Sequence, residues 1–258
     1  MKTLVRMLGT ATAAAAAAAA VASIALAAER PPCAVPDNLL FSDSQLRRVG
    51  MAAAGERKLT IVVVGTGSSA LAGPEGPPSA YPARLEAALT QKLSGISVHV
   101  IPLVRSRLTA EDLSKGMGKL LTDEKPDLVI WQTGTIDAIR RVDLDGFHNA
   151  LEEGVDTIHK RRADVILMNM QYSPRTESMI AVTPYADVMR AVAQQRSVPL
   201  YDRLGIMRHW SEVGAFNFYA AGRDNVLAQR VHSCIARTIA ALVIDAGRLQ
   251  MFELKTGP

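Results

Sequence analysis

Apolar runs of strand length recur along the chain at Leu59 to Val64, Ile96 to Leu103, Asp127 to Trp131, Ala163 to Met168 and Val198 to Tyr201. The stretches between them carry apolar residues at helical spacing. Tyr81 to Leu93 places Leu85, Ala88, Leu89 and Leu93 on one face and opens with Pro82, which suits a first helical turn. Leu144 to His159 aligns Phe147, Leu151, Val155 and Ile158, Pro184 to Val192 starts another helix, and about Val226 to Val243 forms the last, with Leu227, Val231, Cys234, Ile235, Thr238 and Leu242 inward. This alternation predicts a single doubly wound α/β domain with a parallel sheet. Runs that are apolar throughout, such as Ile61 to Val64 and Leu128 to Trp131, predict strands covered on both faces.

The first 28 residues stand apart from that pattern. Lys2 and Arg6 precede an apolar stretch dominated by Ala13 to Ala20, and Ala25-Leu26-Ala27 has the small-x-small form of a signal peptidase site. A signal peptide over residues 1–28 is therefore expected, leaving a domain at residues 29–258 in the periplasm or medium, with no stable membrane anchor after cleavage. Removing Lys2 and Arg6 takes the formal charge from +4 to +2, so basicity says little about partners. The short clusters Arg47-Arg48, Arg140-Arg141 and Lys160-Arg161-Arg162 lack interleaved aromatics and read as solvated helix faces, which argues against nucleic acid as a partner. In an oxidising compartment the two cysteines, Cys33 and Cys234, favour a disulfide, two buried thiols being the alternative. They form no recognisable ligand set, so neither a metal nor another cofactor is expected.

In a doubly wound sheet, ligands bind beyond the carboxyl ends of the strands. The loops there read Gly65-Thr-Gly-Ser-Ser69, Val104-Arg-Ser-Arg107, Gln132-Thr-Gly-Thr-Ile-Asp137 and Gln171-Tyr-Ser-Pro174, followed by the Phe216 to Asp224 region before the last helix. These segments, together with Cys33-x-x-Pro36, Tyr81-Pro-x-Arg-Leu85, Pro126-Asp-Leu-Val-Ile-Trp-Gln132, Val198-Pro-Leu200 and Met207-Arg-His-Trp210, resemble the SGNH/GDSL hydrolase superfamily, in a secreted α-proteobacterial-type branch. The resemblance implies a three-layer α/β/α, flavodoxin-like fold with a five-stranded parallel sheet. It also implies ester hydrolysis by a serine after the first strand, with a glycine amide and an asparagine as oxyanion donors and an Asp-x-x-His element before the last helix.

Carried over position by position, each role falls on an unsuited residue. The nucleophile position is Gly67, the second loop has Ser106 and no glycine, the asparagine position is Ile136, and the Asp-x-x-His element maps to Asp224-Asn-Val-Leu227 with Leu227 in place of the base. A base must take the serine proton, and leucine cannot. Losing even one oxyanion donor costs about 2.7 to 4 kcal/mol of transition-state stabilisation. The expectation is a binding or accessory module for a cell-envelope glycan or acyl ligand, with an active paralogue as a further partner. The alternative is a divergent serine esterase using Ser68 or Ser69, with Asp224 or His209 in supporting roles. His232 reads as a helix-surface residue. Arg105 and Arg107 suit bidentate contact with an anion, and Asp137 reads as a carboxylate at the mouth of the site, able to pair with those arginines or with Arg140.

Overall fold

The computed structural model describes residues 33–41, 43–220 and 225–249. The proposed signal peptide and Asp224 lie outside the described residues. Five parallel strands, β1 (Lys58–Gly65), β2 (Ser97–Val104), β3 (Leu128–Gln132), β4 (Asp164–Met168) and β5 (Leu200–Tyr201), form one sheet in the order β2-β1-β3-β4-β5. This is the flavodoxin-like order expected above. Every residue of β3, and every residue of β1 after Lys58, is buried, as strands covered on both faces require.

Two groups of helices provide that cover. Ala110–Leu120, Leu144–Lys160 and Thr183–Gln195 pack together, and Tyr81–Lys92 packs against the last helix, Val226–Ala246. Gly154 allows the first group to approach closely, because a Cβ there would overlap the Trp131 ring on β3. In the second group Tyr201 of β5 bonds the Thr238 hydroxyl at 2.7 Å, tying the last helix to the sheet.

Cys33 and Cys234 are joined in a disulfide that spans 201 positions and fixes the start of the described chain to the last helix. Cys234 is buried, on the inward face the periodicity indicates. A disulfide agrees with an extracellular compartment.

Candidate functional site

The short helical turn Gly67–Ser69 follows directly on β1 and places Gly67 and Ser68 at the carboxyl end of the sheet. Ser106 and Arg107 from the loop after β2, Thr135 and Ile136 from the start of the helix Thr135–Arg140, and Gln171 and Thr176 from beyond β4 close a pocket of about 340 Å³ around them. Four loops far apart in sequence thus converge where the doubly wound topology directs them. Most lining residues carry a hydroxyl or an amide, with one cationic group at Arg107 and one aliphatic side chain at Ile136, while carbon atoms form the larger share of the exposed surface.

Beneath this surface lies a network built on Gln132, the last residue of β3. Its Oε1 accepts from the Thr66 amide and hydroxyl, both at 2.9 Å, from Ser69 Oγ at 3.1 Å and from Ser68 Oγ at 3.3 Å. Its Nε2 is buried without a partner. Ser69 is also buried and meets the Tyr81 hydroxyl at 3.0 Å; burial pushes that phenol up to about 12, so it stays neutral.

Arg203, the first residue of the helix Arg203–Glu212, is the charged centre of the network. Asp202 caps this helix by accepting from Gly205 N, and Asn169 bridges the same corner, donating to Asp202 Oδ1 and accepting from Leu204 N. That anchored start aims the guanidinium at the β1 loop. Nη1 donates to Ser68 Oγ at 3.2 Å, while Nη2 donates to the Ser68 carbonyl at 3.2 Å and to Gln171 Oε1 at 3.0 Å. The side chain is fully buried, and no carboxylate pairs with it among the described residues. Burial pulls its pKa below the usual value, but guanidinium remains a cation across the accessible pH range.

His232 is a correction to the reading of a surface histidine. It is buried where the last helix meets Tyr81, with its Nδ1 accepting from the Tyr81 amide at 3.0 Å. That bond leaves the ring proton on Nε2. Burial first, then the charges of Arg203 and Arg84, pull its pKa down to about 3.

The remaining sequence candidates divide clearly. Gly67, Ser68, Ser106, Ile136 and Arg107 line the pocket. Leu227 sits in the first turn of the last helix, partly packed on the core, and is not among the lining residues. His209 lies six residues beyond Arg203, about 9 Å along its helix, and does not line the pocket either. Arg105 is exposed and contributes its backbone, donating to Gly65 O at 2.8 Å. Asp137 is not at the pocket mouth as expected. The helix Thr135–Arg140 turns it inward, where it is buried and its Oδ1 accepts from the Ala110 amide at 2.9 Å, while Arg140 bonds the Arg107 carbonyl and approaches Asp112. Burial raises the Asp137 pKa against the pull of its backbone donors. No group of three potential metal ligands occurs among the described residues.

The sheet order, and a pocket assembled from the loops after β1 to β4, define a doubly wound, flavodoxin-like α/β fold, the architecture that the SGNH/GDSL resemblance implies. The chain belongs to the Non-GDSL lipase-like family, whose profile matches residues 32–249. Among solved structures it is similar to the lipase/acylhydrolase from Enterococcus faecalis, with 22% identity, a TM-score of 0.60, and coverage of 76% of this chain and 99% of that one. A catalytic mutant of Axe2, an acetylxylan esterase from Geobacillus stearothermophilus, gives 20% identity and a TM-score of 0.57 over 72% of this chain and 94% of that one. TesA gives 24% and 0.55 over 71% and 99%. At these identities the likeness speaks for the fold alone. No curated protein sequence matches the chain.

Proposed function

We propose that this member of an esterase-like family binds a neutral glycan in the pocket and does not hydrolyse it. The observation that carries the reading is the state of Ser68, the one serine after β1 that reaches the pocket. Its oxygen accepts from Arg203, and its own nearest acceptor is the Gln132 amide carbonyl, which cannot take up a proton. A serine nucleophile needs a base within hydrogen-bond reach. Among the described lining residues there is no histidine and no carboxylate. His232 cannot substitute, since its basic nitrogen is already bonded to the Tyr81 amide.

The lining suits a sugar. Ser68, Ser106, Thr176 and Gln171 carry hydroxyl and amide groups that can match sugar hydroxyls, and Ile136 with the carbon atoms of its neighbours gives an apolar surface on which a sugar ring face can rest. Structural neighbours include acetylxylan esterases, which fits a glycan as the retained ligand class. A second reading, a divergent esterase acting through Ser68, rests on one specific observation: the buried Arg203 charge beside Ser68 Oγ would stabilise an alkoxide there.

One NMR experiment separates the two readings. With an acetylated xylo-oligosaccharide as probe, the amides of Gly67, Ser106 and Thr135 shift in a saturable manner and no free acetate methyl signal grows. Acetate release that disappears in Ser68→Ala would establish the esterase instead, and unshifted pocket amides would remove the glycan reading.

A further inference from the structure

At the opposite end of the sheet, where β3 and β4 begin, a cavity of about 830 Å³ opens between three segments distant in sequence. Arg47 and Arg48 come from the helix Arg47–Met51 ahead of β1, Lys125 from the turn into β3, and Arg161 and Arg162 from the turn into β4. Asp164 is the single carboxylate among the lining residues, and its Oδ2 already accepts from the Val49 amide at 3.0 Å.

Charge compensation is uneven across this cavity. Arg48 is held by Glu56 at 2.8 Å and Asp127 at 2.7 Å. Arg47, Lys125, Arg161 and Arg162 are exposed and make no ion pair among the described residues; Arg161 reaches only the neutral Thr122 hydroxyl, at 3.3 Å. The whole chain has a formal charge of +4. Four cations without ion pairs, set against the one lining carboxylate Asp164, leave a net charge of about +3 in one concavity, most of the +4 excess of all 258 residues. Clefts lined by one sign of charge raise the local concentration of the opposite ion. Beneath the charges, Leu121 and Pro126 give a buried apolar floor, and the volume falls in the roughly 300 to 1,000 Å³ range of small-molecule sites.

We propose that this cavity is a second binding site, separate from the pocket at the carboxyl ends of the strands, for a small ligand bearing two or more phosphate groups. Each phosphomonoester carries about −1.5 to −2 charge near neutral pH, so two of them balance the four free cations. Guanidinium groups pair bidentately with phosphate oxygens, and three of the four cations are arginines.

Titration calorimetry of the folded chain with tripolyphosphate tests the site. Wild type should bind saturably at low ionic strength and more weakly as salt rises. The variant Lys125→Gln/Arg161→Gln/Arg162→Gln, changed only at exposed positions and checked for an unaltered melting temperature, should bind at least tenfold more weakly. A control with the same loss of charge elsewhere, Lys92→Gln/Lys115→Gln/Arg237→Gln, should change less than twofold. Equal weakening in both variants would reduce the effect to diffuse electrostatics and overturn the site, as would the absence of saturable binding. Binding to phosphatidylglycerol vesicles without any to tripolyphosphate would also overturn it, in favour of a membrane-facing surface.

Discussion

A Cβ placed on Gly67 would meet only Ser106 Oγ, at 3.6 Å, whereas one on Gly65 would overlap the Ser69 side chain. Close approach therefore demands glycine at position 65 and leaves position 67 free to carry a side chain. Gly67→Ser should keep its unfolding free energy within about 0.5 kcal/mol of wild type in urea, and p-nitrophenyl acetate turnover should stay at background, since the pocket offers the new hydroxyl no base among the described residues. Turnover above background would reveal a base within reach. His232 makes a different prediction. Its folded-state pKa of about 3 lies below the unfolded value of 6.5, so its contribution is complete above pH 6.5 and is lost as pH falls towards 3. Wild type should lose about 1.4 kcal/mol per pH unit through this window relative to His232→Asn; parallel stability curves for the two proteins would refute the buried neutral ring. Asp137 and Asp164, with pKa values raised by burial, affect both proteins alike. Gly67, Ser106 and Ile136 were legible in the sequence because each follows an apolar strand that fixes its place. Arg203 was not, since arginine is almost never fully buried and no local period marks it. His232 faces inward for a related reason: Val226–Ala246 is buried around much of its girth, which a one-stripe helical reading does not anticipate.

Two helical glycines distinguish packing from propensity. In Leu144–Lys160, Gly154→Ala should destabilise by about 1 to 2 kcal/mol, because the overlap with Trp131 outweighs the roughly 1 kcal/mol that alanine gains over glycine in a helix. In Ala110–Leu120, Gly116 has open space around its Cβ position, and Gly116→Ala should stabilise by up to about 1 kcal/mol. Thermal unfolding of both variants is the check, and equal signs would contradict the packing described. Gly116 and Gly118 also explain why the sequence pattern does not announce that helix. Arg203–Glu212 was hidden differently: β5 has two residues, so the helix that orients Arg203 begins almost at once after the last strand. Asp137 shows how much one helical turn matters, since Thr135 and Ile136 line the pocket while the next residue points into the fold.

For the whole molecule, the Cys33–Cys234 link constrains a loop of 201 positions, and the double variant Cys33→Ser/Cys234→Ser should lose about 2 to 5 kcal/mol of stability in equilibrium unfolding. An unchanged midpoint would mean that packing alone holds the segment at Cys33 against the last helix. The parallel sheet and the location of the pocket follow from strand-helix alternation, which is why they were readable, whereas the cationic cavity needed three distant basic clusters to be brought together. The central claim, that the pocket binds without a working serine nucleophile, is tested most directly by the intact mass of the protein after incubation with a fluorophosphonate. The mass should remain that of the unmodified protein. A single adduct that vanishes in Ser68→Ala would contradict the claim.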